Sequence, residues 1–202
     1  MDTIVLATNN KGKIRELSVM LEPFGLKVKS LSEFPEIGDI PETGETFLEN
    51  AFIKARTVAQ ITGLVTVADD SGIEIDALDG RPGVYSARFA GEDCDDHANN
   101  EKMLAQMKNV PDEKRTGRYR CVMAASAPNG TEIHTDGAYE ITVGHGYKGR
   151  GGFGYDVIVI DPDHNCHVAE LDPEVKNGKS HRGNAMKKLL QLWPDFWEKA
   201  TK

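Results

Sequence analysis

Ile4-Val-Leu-Ala7, then Thr8-Asn-Asn-Lys-Gly12, then Ile14, Leu17 and Leu21 form the stretch that decides the fold. A short apolar run suits a buried strand, and the polar run after it is rich in loop formers. The three apolar residues that follow recur at the spacing of one helix face. Strand, loop and helix in direct succession predict an α/β chain.

Working outward, Thr46-Phe-Leu-Glu49 is a capping box, and Phe47, Ala51, Ala55 and Val58 form the apolar face of the helix it opens. Val65 to Ala68 reads as a strand that ends at Asp69-Asp70-Ser71-Gly72, with Ile73 to Ala77 resuming as strand. A helix is expected from Asp95 to Lys108, burying Met103, Leu104 and Met107. The middle is β-rich: Tyr119 to Ala127, a Pro128-Asn129-Gly130 turn, Glu132 to Thr135, and Tyr139 to Val143. A glycine-rich loop runs from Gly144 to Gly154, and Val157 to Ile160 is a strand. The last helix follows Ser180 and is expected to bury Ala185, Leu189 and Leu192. Alternating elements followed by hairpins predict a mixed α/β sheet with an antiparallel extension.

The chain of 202 residues suits one domain or two closely joined lobes. With 39% hydrophobic and 28% charged residues it is expected to be a soluble globular protein. No run approaches the roughly 20 apolar residues that span a bilayer, and no basic leader precedes the first strand. A formal charge of −8 disfavours nucleic acid as the main partner, since polyanion binders carry a basic excess. Cys94, Cys121 and Cys166 are odd in number and widely spaced, which points to buried free thiols in a reduced cytoplasmic setting.

Five constellations carry chemistry. Thr8-Asn9-Asn10-Lys11-Gly12-Lys13 joins a strand to a helix start, where backbone N–H groups and the helix dipole favour a phosphate. It is not a Walker A loop, because Ala7 and Ile14 occupy positions that motif reserves for glycine and serine or threonine. The plainer reading is a polar turn with a solvated lysine. Asp69 and Asp70 are adjacent at the end of a strand, so their side chains point to opposite sides and serve different roles. Carboxylates with water and phosphate oxygens are the usual magnesium environment, although Asp-Ser-Gly is also common turn chemistry. Glu42-Thr-Gly-Glu45 precedes the capped helix, on which Asn50 and Lys54 lie four apart and point the same way. Gly151-Gly-Phe-Gly-Tyr-Asp156 offers close backbone approach, with Phe153 or Tyr155 to stack on a base or to anchor a hairpin loop. Finally, His181 and Arg182 fall in the first turn of a helix capped by Ser180, where cations oppose the dipole unless an anionic or polar ligand is in view.

Together these blocks resemble the inosine triphosphate pyrophosphatase family, also called XTP/dITP diphosphatases. The resemblance rests on Thr8 to Lys13, Glu42 to Ala51 with Lys54, Ala68 to Gly72, Gly83-Val-Tyr-Ser-Ala-Arg-Phe-Ala-Gly91, Gly152 to Asp156, Ala169-Glu-Leu171, and Lys176 with Ser180-His-Arg182, in that order. It implies an elongated mixed β-sheet flanked by helices, a single pyrophosphatase domain over residues 1–202, two lobes with a nucleotide cleft between them, and a homodimer. It implies hydrolysis of ITP, dITP and XTP to the monophosphate and pyrophosphate in the cytoplasm, with Mg²⁺ and without nucleic acid or membrane partners. Thr8, Asn9, Asn10, Lys11, Gly12 and Lys13 resemble the triphosphate loop, joined by Lys54. Asp70 resembles the proton acceptor and a metal ligand, Ser71 a substrate contact and Glu42 a second ligand, with Glu45 close enough to leave that choice open. Phe153, Gly154, Tyr155, Asp156, Lys176, His181 and Arg182 resemble the base-binding side. Val157 stands where the family usually has proline, a change expected to alter loop rigidity more than chemistry. The rival readings are a pyrophosphatase for other nucleotides and a non-catalytic nucleotide sensor.

Overall fold

The computed structural model describes residues 2–91 and 95–202, with the backbone alone for Lys11, Glu16 and Met20. Cys94, read as a buried thiol, lies outside the described residues; Cys121 is buried and Cys166 half-buried, both as free thiols. Seven strands, β1 (Thr3–Leu6), β2 (Lys27–Ser30), β3 (Val65–Ile75), β4 (Thr116–Ser126), β5 (Glu132–Val143), β6 (Val159–Asp161) and β7 (Cys166–His167), hydrogen-bond in the order β2-β1-β3-β4-β5-β6-β7, with parallel pairing of β1 to β2 and β3 and antiparallel pairing of β5 to β6 and β6 to β7. The sheet is therefore mixed, and the chain divides into two compact units.

The first unit holds residues 1–70, 121–137 and 184–202. Strand β1 (Thr3–Leu6) leads into α1 (Lys11–Leu21), followed by β2 (Lys27–Ser30) and α2 (Phe47–Thr62). Asn10 caps α1: its side-chain oxygen accepts from the N–H groups of Gly12 and Lys13 at 2.9 and 3.1 Å. Thr46 and Glu49 form the capping box of α2, and Phe47, Ala51, Ala55 and Val58 are buried as its periodicity requires. Ile4 and Leu6 of β1, with Val65 and Val67 of β3 (Val65–Ile75), form the floor of the core. Leu17 and Leu21 of α1 cover it, together with Met186, Leu189, Trp193 and Phe196 of α5 (His181–Ala200). The buried stripe of α5 passes from Leu189 to Trp193 and Phe196, so Leu192, expected inside, is 46% exposed. A step of three from Leu189 misses the stripe because Trp193, one step of four away, already fills it.

The second unit holds residues 71–120 and 138–183. It contains α3 (Asp96–Met107), β6 (Val159–Asp161), β7 (Cys166–His167) and α4 (Pro173–Lys179). Ile73, Ile75, Met103, Met107, Ile141, Val143, Ile158 and Val159 belong to its core. Arg115 is 2% exposed and donates to the carbonyls of Val143, Met107, Val110 and Gly144. A guanidinium is well suited to this, because its several N–H donors can satisfy the orphan carbonyls at the end of α3 and a strand terminus together. Burial lowers the pKa of Arg115.

Three expectations about strands need correction. β3 does not end at Asp69 but runs unbroken to Ile75, so Asp69-Asp70-Ser71-Gly72 is strand, not turn. The two runs on either side of Asp136-Gly137-Ala138 are a single strand, β5 (Glu132–Val143). It follows β4 (Thr116–Ser126) through a five-residue turn in which Gly130 adopts φ +84, far too short for a parallel crossover. Val157 closes a short 3₁₀ turn, Gly154–Val157, and strand begins only at Val159. Helix α4 carries a signal the periodicity reading passed over: Asp172 caps it and Pro173 occupies its first position. Among the described residues no helix is long and apolar enough to cross a membrane.

Candidate active site

In the first unit the strand geometry separates the two neighbouring aspartates. Asp69 is 3% exposed and pairs with Lys13, whose ammonium lies 2.7 Å from Oδ2. Asp70 faces α2, where Asn50 donates to Oδ2 at 3.1 Å and the Lys54 ammonium lies 3.4 Å from Oδ1. Asn50 and Lys54, one helical step apart, therefore meet one carboxylate. Lys54 also reaches Oε1 of Glu42 at 2.5 Å. Burial pushes the Asp70 pKa up; Lys54 pulls it down, Glu42 and Asp69 push it up again, and the net direction is upward. For Lys54 burial favours the neutral amine, but Asp70 and Glu42 outweigh it and hold the ammonium above its usual range. The backbone N–H of Glu45 donates to Glu49 Oε2 at 2.7 Å, within the start of α2, and the Glu45 side chain is exposed.

Glu42 and Asp70 come from separate segments yet both reach one cation, the Lys54 ammonium. Their donors are all oxygen, the chemistry a hard divalent ion requires. No group of three or more His, Cys, Asp or Glu side chains suited to a metal occurs among the described residues. A two-carboxylate site of this kind suits Mg²⁺, which is usually held by one or two carboxylates together with substrate phosphates and water.

The Thr8–Lys13 segment differs in one respect from its sequence reading. The N–H groups of Gly12 and Lys13, expected to be open to a phosphate, are capped by Asn10, and the N–H of Asn10 donates to Thr8 Oγ1 at 3.2 Å. The loop is thus internally braced, and its described charged group is Lys13. Asn9, Asn10 and Gly12 are exposed, Thr8 and Lys13 partly so.

The base-side candidates all belong to the second unit. Asp156 is 3% exposed and fully engaged: Oδ1 accepts from Tyr119 Oη at 3.0 Å, and Oδ2 from Lys176 at 2.6 Å and the Phe153 N–H at 2.8 Å. Phe153 is 69% exposed, with the Lys176 ammonium 4.8 Å from its ring centroid. Tyr155 is a correction: its ring is buried in the core and its hydroxyl donates to the Ser86 carbonyl at 2.8 Å. Of the two aromatic rings, only Phe153 can stack on a base. Ser180 caps α5 through the Gly183 N–H at 2.9 Å, which leaves His181 and Arg182 in the first turn. Arg182 is 8% exposed and its Nη2 approaches Ser71 Oγ at 3.5 Å. His181 stacks on Tyr119 with centroids 5.3 Å apart and planes at 18°.

Residues given no site role support the second of these sets. Tyr119 lies in β4, and nothing local in the sequence distinguishes it from any aromatic in a sheet. Gly83–Gly91 takes a supporting role: Ser86 accepts from the Ile73 N–H at 2.8 Å and holds Tyr155 through its carbonyl. Asn99 of α3 grips the same segment, donating to Ala87 O at 2.9 Å and accepting from Ala90 N at 2.6 Å.

The model of the Ham1 family matches residues 4–192. The chain is 51% identical to a dITP/XTP pyrophosphatase of Nitratidesulfovibrio vulgaris over 201 residues, covering 96% of this chain and 97% of that protein. It is 45% identical to one of Listeria monocytogenes, covering 100% of both. Among solved structures, a HAM1 protein from Coxiella burnetii superposes with a TM-score of 0.90 at 40% identity, covering 96% of this chain and 100% of that one.

Proposed function

The chain belongs to the Ham1 family, and we infer that it hydrolyses non-standard purine nucleoside triphosphates, ITP, dITP and XTP, to the monophosphate and pyrophosphate. The observation that carries this reading is the Glu42, Asn50, Lys54 and Asp70 cluster, an oxygen-donor site in which one buried carboxylate is left with a raised pKa. Asp70 has one amide donor and shares its one lysine with Glu42, which leaves it available to a proton or a metal ion. Water attacks the α-phosphorus, and Asp70 takes its proton while Asn50 fixes the carboxylate's orientation through Oδ2. Lys13 and Lys54 stabilise charge on phosphate oxygens. Both are already positioned by carboxylates, so little side-chain ordering remains when the polyphosphate arrives. Glu42 and Asp70 would hold Mg²⁺, which supplies charge neutralisation and a template for the polyphosphate.

The base is read in the second unit. Inosine and xanthine carry a keto oxygen at C6, a pure acceptor, whereas adenine carries an amino donor there. Arg182 only donates, and His181 donates from at least one ring nitrogen. Donors facing an amino group leave buried polar groups unpaired, at about 1–3 kcal/mol each. Phe153 supplies the stacking face. A cytoplasmic homodimer, expected from the family resemblance, completes the reading; a light-scattering mass equal to the 22.2 kDa monomer at micromolar concentration would refute the dimer.

A side-by-side assay with Mg²⁺ and pyrophosphate detection tests the function. ITP, dITP and XTP are expected to turn over at least about a hundredfold more efficiently than ATP, with weaker discrimination against GTP. Equal turnover of ATP and ITP would overturn the substrate assignment, and no turnover of any triphosphate would favour a sensor.

A further inference from the structure

Helix α3 holds the loop that presents Phe153, although no residue of that helix belongs to the nucleotide motifs. The Gly154 N–H donates to Asp96 Oδ2 at 3.0 Å, and the Gly154 carbonyl accepts from Asn100 Nδ2 at 3.0 Å. Asp96 and Asn100 are four apart, so one helix face grips the glycine at both its polar groups. Gly154 sits at φ +59, in the left-handed region, directly after the exposed Phe153. The direction in which Phe153 leaves the backbone thus depends on the conformation these two bonds hold.

Asn100 is an expensive way to do this. It is 3% exposed, and its Oδ1 has no hydrogen-bond partner among the described residues. A buried acceptor without a partner opposes folding, and an apolar side chain of similar size would fill the position without that burden. A polar group kept at a cost to stability points to a functional demand on the residue.

We infer that Asn100 is a positioning residue for base binding: through the Gly154 carbonyl it sets the Phe153 ring as the platform on which the purine stacks. The inference rests on Phe153 to Asp156 being the base-binding loop. Stacking on a base far from the scissile phosphate is the same in the ground and transition states, so its loss raises KM and leaves kcat alone. A residue with only a packing role would instead lower melting temperature and activity together.

The test is the full-length protein with dITP and Mg²⁺, comparing Asn100→Leu, Asp96→Ala and Phe153→Ala. Asn100→Leu is expected to raise KM about fivefold with kcat within about twofold, at an unchanged or higher melting temperature. Asp96→Ala, an exposed change that frees only the N–H of Gly154, is expected to raise KM about twofold. If Asn100→Leu leaves KM unchanged, or unfolds the protein, or lowers Tm and kcat together, the positioning role is wrong. Phe153→Ala separates the two levels. A raised KM there with no effect at Asn100 overturns this inference alone, whereas an unchanged KM in Phe153→Ala overturns the base-loop reading beneath it.

Discussion

Asp70 in the first unit and Asp161 in the second are both buried aspartates beside a lysine, yet they stand in opposite electrostatic states. Asp161 is wholly buried and saturated: it accepts from Tyr139 Oη at 2.9 Å, from Lys179 at 2.6 and 2.9 Å, and from the N–H groups of Asp163 and His164. Burial alone would raise its pKa, but these donors outweigh burial and hold it far below the usual carboxylate range. Asp70 has one amide donor and one lysine, and it shares that lysine with Glu42 while Asp69 stands nearby. Its pKa is raised. A carboxylate satisfied on every side holds a fold together, whereas one left short of donors among like charges is available for a proton, a metal ion or both.

The comparison breaks first at Asp70. Asp70→Asn is expected to lower kcat/KM by about 10²–10⁴-fold, the usual share of a general base, while the melting temperature stays level or rises. Retention of more than about a tenth of wild-type kcat/KM would remove Asp70 from the mechanism. Asp161→Asn should do the reverse. Breaking a buried pair costs about 3 kcal/mol or more, which lowers Tm by roughly 6–12 °C in a chain of this size. Turnover measured well below the transition should stay within about threefold of wild type. Equal losses of activity and stability in both variants would erase the distinction.

Arg182→Ala is next in size. The preference for ITP over ATP should fall about tenfold, because the lost donor served only the keto base. If both substrates suffer equally, Arg182 acts on phosphate or on folding. The smallest effect is in the pH dependence of stability. Because the folded-state pKa of Asp70 lies above its ordinary 3.8, its charge destabilises the fold at neutral pH, and that penalty vanishes as pH falls through the raised value. Asp161, whose pKa is depressed, contributes stability above 3.8 that is lost as pH falls toward its lower folded value. The stability advantage of Asp70→Asn over wild type should therefore be present at pH 7, shrink as pH falls through the raised folded-state value, and be gone below 3.8. An advantage that grows on acidification would reverse the sign assigned to Asp70.

Local signals fared best where one residue's chemistry sets one hydrogen bond. The Thr46–Glu49 capping box, the Ser180 cap and the Phe47 to Val58 stripe are all present as read. Turn chemistry misled where tertiary pairing overrode it: Asp-Asp-Ser-Gly looks like a turn, but β3 carries it as strand because β1 pairs with the same strand up to Val67 and Ser86 takes the Ile73 N–H. The Asn50–Lys54–Asp70 convergence was half legible, since helix spacing puts Asn50 and Lys54 together but says nothing about which strand they meet. Tyr119 and Asn100 were not legible at all. Their partners lie tens of residues away, and only the packed chain brings Tyr119 to Asp156 and Asn100 to Gly154.

The most direct test of the proposed reaction is hydrolysis of dITP in ¹⁸O-labelled water with Mg²⁺, the phosphorus-containing products being resolved and weighed. Attack on the α-phosphorus, with Asp70 taking the proton, predicts deoxyinosine monophosphate bearing one ¹⁸O and unlabelled pyrophosphate in equal amount. Label in the pyrophosphate, or release of orthophosphate with deoxyinosine diphosphate, would contradict it.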